Sequence, residues 1–477
     1  MIFSTYIFTL VFLPAVLILY FGMSRYVSRK IQHLLLIFAS LVFYGYNHIS
    51  YVWLILISIS VNYIMATGVQ NAVKPLFRKV CFVTGVLFNV CLLGYYKYYN
   101  FFLDNINTMF DTDFVLKQII LPLGISFFTF QQIAYLISVN KKQEKVPAVL
   151  DYVLFITFFP QLVAGPIVFS QDVMAQYQDD KNRFFNIDNF TQGLFIFIIG
   201  LFKKAVVADT LSIFSGNAFF DPNHLTFASA WLGSLAYTFQ LFFDFSGYSD
   251  MAIGLGKMFN INLPVNFYSP YKSKSITEFW KRWHITLGRS LFVLIYIPLG
   301  GNRKGYARTC FNLFAVFFVS GLWHGAAWTF VLWGSLHGLV RVFEKIFGKQ
   351  LDKIPDLIRI FFTFLFVSSA LVLFRSWTVS DALIMLKTMY IPDVISFDGI
   401  SHLAFNTTLA YPDIIQSIFV IGILLIVSYF VFLFPKNSID LYNEFKPKPK
   451  IAILSAVLFS IAVIHFSKVA AFIYFNF

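Results

Sequence analysis

Two histidines stand in settings where an imidazole can do chemistry. His284 closes the segment Thr277-Glu-Phe-Trp-Lys-Arg-Trp-His284, and His324 lies in Ser320-Gly-Leu-Trp-His-Gly-Ala-Ala-Trp328, both beside long apolar stretches. A neutral imidazole takes up a proton near physiological pH and returns it within one cycle, as acyl transfer to a hydroxyl requires. An ionisable group near a bilayer centre costs about 2.5 kcal/mol or more on insertion scales, so its retention asks for a role. His324 is the better base. Its flanks, Gly321 and Gly325, let a second backbone or a ligand come close. The plainer reading is that each histidine only hydrogen-bonds between helices.

Other polar groups gather around these two. His337, in Trp333-Gly-Ser-Leu-His-Gly338, follows thirteen residues after His324 and either faces the same cavity or joins helices. Lys272, Lys274 and Arg282 bracket His284 together with Lys281 and Arg289. They suit a phosphate-rich donor such as a coenzyme A thioester, although membrane topology alone predicts the same charges. Gln240 and Asp244, at i and i+4 in Tyr237-Thr-Phe-Gln-Leu-Phe-Phe-Asp244, share a helix face. They line a polar tunnel or form a buried hydrogen-bond network. A proline and glycine break Pro122-Leu-Gly-Ile-Ser126 just before Gln131 and Gln132.

The elements that position these groups must be membrane helices. Of 477 residues, 58% are hydrophobic and only 12% charged, against roughly 45–50% and about 25% in soluble proteins. Apolar stretches of about 20 residues recur from end to end, giving an all-α multi-pass chain of about ten to twelve membrane helices. Ile2 to Phe21 reads as a retained first helix, since no basic start or cleavage site precedes Arg25. Basic residues cluster at Arg25 to Lys30, Lys74 to Lys79, Lys141 to Lys145 and Lys436 to Lys450, which places those loops in the cytoplasm. The Asn47 to Ser50 turn, the Asp104 to Asp113 segment, the Asp221 loop and the long Ser376 to Asp413 loop fall outside.

This alternation fails twice. Tyr152 to Val168 lies between two basic segments and cannot span, so it should be re-entrant, with its backbone buried in protein or lining a cavity. Ile285 to Leu299 poses the same problem, because from Lys257 to Arg308 nine basic residues face one acid, Glu278. This second dipping element ends in Pro298-Leu-Gly-Gly-Asn-Arg303, a composition made for a tight reversal.

The net charge of +13 is spread over short loops, which argues against nucleic acid as a partner. Cys81, Cys91 and Cys310 show neither disulfide nor metal spacing, and no metal site is expected. No Walker loop, GxSxG elbow, HExxH or dinucleotide fingerprint is present. No internal repeat or soluble domain stands out, so residues 1–477 read as one membrane-embedded domain.

Taken together, several motifs resemble the membrane-bound O-acyltransferase family, in particular its alginate and peptidoglycan O-acetylation branch and more distantly the DltB-like branch. They are Gly124-Ile-Ser-Phe-Phe-Thr-Phe-Gln-Gln-Ile-Ala-Tyr135, Phe159-Pro-Gln-Leu-Val-Ala-Gly-Pro166, Asp244-Phe-Ser-Gly-Tyr-Ser-Asp250, Glu278-Phe-Trp-Lys-Arg-Trp-His284, Tyr296-Ile-Pro-Leu-Gly-Gly-Asn-Arg303 and Gly321-Leu-Trp-His-Gly325. The resemblance implies helices in a ring around a central tunnel, with a catalytic core at about residues 118–345. His324 would be catalytic and His284 its partner, with Trp323, Gly321, Gly325, Gln240, Asp244 and His337 along the tunnel. It further implies acetyl-CoA as co-substrate, with no permanently bound cofactor, in the inner membrane of a bacterium. A periplasmic O-acetyltransferase partner and an exported polysaccharide acceptor are implied as well. The sequence departs from the family pattern at Phe292-Val293 and at Ser138-Val-Asn-Lys141.

Two functions of different class remain ahead of a third and weaker one, a structural scaffold in an exopolysaccharide complex. One is an acyltransferase in which His324 is base or transient acyl carrier. The other is a transporter or flippase of a glycan or lipid-linked intermediate, which should show inverted repeats or paired broken helices.

Overall fold

A computed structural model describes residues 1–392, 394–404 and 413–468. Among these no strand occurs; helices follow one another throughout. Four are long and apolar enough to cross a membrane by length and composition: Ser50–Asn71, Pro75–Phe110, Asp356–Arg375 and Ile415–Leu433. Ile7–Gly22, Ile285–Tyr296 and Pro449–Ile464 are apolar but shorter. Fewer helices meet this measure than the ten to twelve expected, for two physical reasons. Several apolar runs are short, such as Ile125–Asn140 with 16 residues. Others carry buried polar groups, as Phe227–Met258 does with Gln240, Asp244, Ser246, Ser249 and Asp250.

The chain packs as two compact units, one comprising Met1–Ile198, Tyr248–Val265 and Phe445–Ala452, the other Ile199–Gly247, Asn266–Glu444 and the stretch from Ile453. In the first unit, Ser50–Asn71 and Pro75–Leu93 are joined by a short turn and pinned by Asn89, whose Nδ2 donates to Asn62 Oδ1 at 2.6 Å. The expected break at Pro122 is the start of a helix. Gly124 has φ +70°, and a Cβ there would lie 2.8 Å from the Leu162 carbonyl oxygen. Gln132 donates to Ser58 Oγ at 2.9 Å and Gln131 to the Phe155 carbonyl at 3.2 Å, so both tie helices together. Asp104 to Phe110, expected as loop, is helical, because Pro75–Phe110 continues through a π-helical turn at Gly94–Tyr98 and ends only at Asp111.

Both stretches expected to dip into the membrane are short, interrupted helices. Val149–Thr157 is nine residues, and Phe158 breaks it from the one-turn helix Phe159–Leu162. At 1.5 Å per residue nine residues reach about 14 Å, half of a bilayer core, and the backbone here is enclosed by protein from Leu154 to Ser170. In the second unit, Ile285–Leu291 continues as a π-helical turn, Phe292–Tyr296, and then reverses. Gly300 and Gly301 take φ +102° and +56°, while Asn302 stays in ordinary space.

Loops assigned to one side of the membrane meet one another. In the first unit, the Val146 amide donates to Gln70 Oε1 and Arg78 to Asn140, joining the Lys74 and Lys141 loops. Arg183 donates to the Val27 carbonyl, joining the Arg25 loop to residues 171–186. In the second unit, Tyr268 donates to Asp440 and Lys272 to the Phe434 carbonyl, joining two basic segments. Thr226 donates to the Asp398 carbonyl and Ala228 to that of Ser396, joining the segment after Asp221 to the Ser376–Asp413 loop. That loop itself carries a helix, Val379–Tyr390, and its residues 393 and 405–412 lie outside those described.

Candidate active site

His324 is the last residue of the helix Tyr306–His324. Gly325 is extended at φ −161°, and after Ala326 and Ala327 the chain returns as Trp328–Leu351, so His324 sits at the tip of a helical hairpin. The hairpin is drawn together by glycine. A Cβ on Gly321 would lie 2.3 Å from the Phe330 carbonyl oxygen and 3.1 Å from Gly334 Cα, and one on Gly334 would lie 2.4 Å from the Phe317 carbonyl. A Cβ on Gly325 would strike the Phe330 ring at 2.1 Å. These glycines therefore admit a neighbouring backbone and ring; the sequence had left open whether it was a ligand.

The His324 ring is 2% exposed and packs edge-on against Trp323, Trp333 and Phe374, at 4.9, 5.1 and 5.2 Å between centroids. Beside it lies a small cavity walled by His324, His337, Trp283, Trp333, Phe279, Phe374, Leu241, Val367 and Leu371. Its room for water-sized occupants is about 10 Å³, close to what one water molecule needs. His337 thus shares a cavity with His324, as one of its two expected roles required. It also bonds between helices: Trp280 Nε1 donates to His337 Nδ1 at 3.2 Å.

His284 is fully buried and outside that cavity wall. It forms the junction between Ile276–Arg282 and Ile285–Leu291 with φ +44° and ψ +51°, a left-handed conformation that costs a non-glycine residue about 1–3 kcal/mol. Asn266 holds the junction. Its backbone carbonyl accepts from the Ile285 amide at 3.0 Å, and its Oδ1 accepts from the Thr286 amide and hydroxyl at 3.2 and 2.9 Å. An oxygen that accepts those bonds also accepts from His284 Nδ1 at 3.2 Å, so the proton of a neutral ring sits on Nδ1 and the lone pair on Nε2. Trp323 touches both histidines, with ring centroids 6.0 Å from His284 and 4.9 Å from His324.

Glu344 sets the start of the helix that ends before His284. Its carboxylate accepts from the amides of Ile276 and Thr277 at 2.5 and 2.9 Å and from the Thr277 hydroxyl at 2.6 Å, a negative charge at a helix N-terminus. Asn266 and Glu344 were not singled out from sequence. Each lies far along the chain from what it holds, and only Glu344, a lone acid in a long apolar helix, offered a signal.

The remaining expected residues fall elsewhere. Gln240 accepts from Ser215 Oγ at 2.5 Å, and Asp244 pairs with Lys204 Nζ at 2.8 Å, which also reaches Asp209 at 2.7 Å. This cluster is buried, with Lys204 inside the π-helical segment Lys203–Ala208 and Asp209 immediately after it. The cavity wall at His324 includes neither Gln240 nor Asp244, nor Gly321, Gly325 or Trp323. Among the presumed donor contacts, Lys274 pairs with Asp356 at 2.6 Å, Arg282 with Glu278 at 2.7 Å, and Lys272 donates to the Phe434 carbonyl at 2.7 Å. Among the described residues no three His, Cys, Asp or Glu side chains group as a metal site.

The profile of the membrane-bound O-acyltransferase family matches residues 140–376, which hold all three histidines and the hairpin. A peptidoglycan O-acetyltransferase of Helicobacter pylori is 42% identical over 419 residues, 82% of this chain and 80% of its own. The chain belongs to the membrane-bound O-acyltransferase family. It is an O-acyltransferase of multi-pass membrane type, the recognition that the sequence motifs had offered. A probable alginate O-acetylase of Pseudomonas aeruginosa is 39% identical over 399 residues, covering 82% of this chain and 75% of the other. A teichoic acid D-alanyltransferase of Bacillus subtilis is similar at greater distance, 27% identical over 246 residues, 48% and 60% of the two chains.

Proposed function

We propose that this enzyme takes an acetyl group from acetyl-CoA at the cytoplasmic face of a bacterial inner membrane and passes it across for O-acetylation of an exported or cell-wall polysaccharide. The acceptor would be peptidoglycan or alginate-like, with a separate extracytoplasmic O-acetyltransferase as partner. The supporting observation is the cavity: an imidazole at the tip of a hairpin, in a buried and mostly apolar wall, beside space for a group the size of one water. As it stands the space admits about one oxygen-sized group, so an acyl group enters only as the wall yields, and a two-carbon group asks for the least movement.

In this reading His324 removes the proton of an attacking hydroxyl. A C–O bond forms at the thioester carbonyl, the C–S bond breaks, and His324 returns the proton to the leaving thiolate. The phosphates of the donor are too costly to carry into apolar surroundings, so they stay at Lys272, Lys274 and Arg282. The exposed Lys274–Asp356 pair and the half-exposed Arg282–Glu278 pair are each worth about 1 kcal/mol or less, and a polyphosphate can take the place of the carboxylates. Trp283, Trp333, Phe279 and Phe374 close the cavity, and entry of the thioester arm requires them to turn aside. The polysaccharide names of the relatives support the acceptor class.

The test is release of free coenzyme A and transfer of labelled acetyl by the purified protein with an acceptor. His324→Ala should abolish both while expression and membrane insertion persist, and His284→Ala should lower them less. Wild-type turnover in His324→Ala would overturn the mechanism. Movement of an intact glycan with no acyl transfer would establish the transporter instead.

A further inference from the structure

The cavity wall contains two N–H groups that the proton transfer at His324 does not use. Trp333 and His337 stand at i and i+4 on the Trp328–Leu351 helix and so share one face. Their rings lie 4.8 Å apart, both line the cavity, and they are 3% and 1% exposed. Indole nitrogen is a donor only, and among the described residues Trp333 Nε1 has no hydrogen-bond partner.

The proton on His337 is placed by Trp280. Because Trp280 Nε1 can only donate, His337 Nδ1 must accept, and a neutral ring then carries its one proton on Nε2. Nε2 is likewise buried with no partner among the described residues. Leaving one buried donor unsatisfied is unfavourable, and two on one face of one helix, beside the same cavity, is a costly arrangement to keep for packing alone. The remaining wall apart from His324 is made of Leu241, Phe279, Trp283, Val367, Leu371 and Phe374, which offers these donors no carbonyl or carboxylate side chain.

We propose that Trp333 Nε1–H and His337 Nε2–H form the oxyanion site that receives the thioester carbonyl oxygen, with Trp280 as the positioning residue that fixes the His337 tautomer. This rests on the acyl-transfer reading above. The space suits one oxygen-sized group. As the hydroxyl oxygen bonds to the carbonyl carbon, the carbonyl π pair moves onto oxygen and is stabilised by the two N–H groups. When it returns, the C–S bond breaks and its electrons leave with sulfur, while the hydroxyl proton passes by way of His324 to the thiolate. The donors aim at charge that develops only in the transition state, which is where a fixed hydrogen bond in a dry site accelerates most.

Three variants and one spectrum test this on the full-length protein in nanodiscs. Trp333→Phe keeps the ring and removes the donor; His337→Phe does the same; His337→Gln restores an N–H. Trp333→Phe and His337→Phe should each lower kcat by about 10²- to 10³-fold, with KM for acetyl-CoA changed less than about threefold, and His337→Gln should recover at least about tenfold. Equal kcat in the wild type and Trp333→Phe, or no advantage of His337→Gln over His337→Phe, would overturn the proposal. In parallel, carbonyl-labelled acetyl-CoA is bound to His324→Ala, which retains both donors. Its C=O stretch should fall below that of acetyl-CoA in water and rise again when Trp333→Phe is added. A band at or above the aqueous position would overturn the proposal even if a donor variant fails to fold. If the wild type cleaves acetyl-CoA and only these results fail, the acyl-transfer reading stands and the oxyanion site does not.

Discussion

Asn266 Oδ1 lies 3.2 Å from His284 Nδ1 and fixes that ring in one tautomer, while the same oxygen holds Thr286 at the start of the next helix. The left-handed backbone at His284 persists because this one side chain satisfies three donors at once. Asn266→Ala should therefore lower acyl transfer by about ten- to hundredfold, the range for losing a buried hydrogen-bond partner at about 1–3 kcal/mol. Asn266→Asp keeps the acceptor and should retain more activity than Asn266→Ala. Turnover numbers of the two variants decide it, and an alanine variant as active as the wild type would sever His284 from the reaction.

The glycine contact inside the hairpin predicts a stability effect, distinct from a chemical one. Gly321→Ala places a Cβ against the Phe330 carbonyl at 2.3 Å, where backbone cannot yield cheaply. The expected cost is about 1–3 kcal/mol, as for overpacking in a core. Thermal unfolding in detergent should show a lower midpoint, and the surviving folded fraction should lose activity as His324 shifts. A variant with unchanged midpoint would mean the hairpin is looser than the structure has it.

Cavity size should govern acyl length. Leu371 is 4% exposed and belongs to the aliphatic part of the cavity wall. Leu371→Ala should raise the ratio of kcat/KM for propionyl-CoA over acetyl-CoA by about tenfold, since one methylene in an apolar pocket is worth about 1–3 kcal/mol. Competition between the two donors in one tube measures it. An unchanged ratio would show that the acyl group sits elsewhere.

The sidedness of the loops is testable by labelling. With Cys81, Cys91 and Cys310 replaced, a cysteine at the exposed position Asp398 should react with a membrane-impermeant maleimide added outside. One at Lys141 should react only after the membrane is opened. Reaction of the Asp398 cysteine from the cytoplasmic side alone would invert the map.

Much of this site was legible because a few residues are expensive where they stand. His284 and His324 stand out as ionisable groups in apolar surroundings, and the structure buries both; the short helices Val149–Thr157 and Ile285–Leu291 fall where basic residues broke the alternation. Gly300 and Gly301 took the positive φ that their turn composition suggested. Long-range partners were not legible. Nothing near Asn266 says that it will meet His284, and Lys204, on a π-helical turn, pairs with Asp244 on another helix, which hydrophobic periodicity does not encode. Gly321 shows a different limit: sequence said that something comes close to it, and packing alone decides between a cofactor arm and a second helix.

The hairpin also bears on how such an enzyme can change over generations. His324 is placed by main chain meeting main chain at Gly321 and Gly334 and by the rings of Trp323, Trp333 and Phe374 packed on it, whereas the aliphatic side chains of the cavity wall, Leu241, Val367 and Leu371, make none of those ring contacts. Leu241, Val367 and Leu371 are consequently free to drift in size while the proton-transfer group keeps its position. A lineage built this way can acquire a new acyl preference by single substitutions without passing through an inactive ancestor.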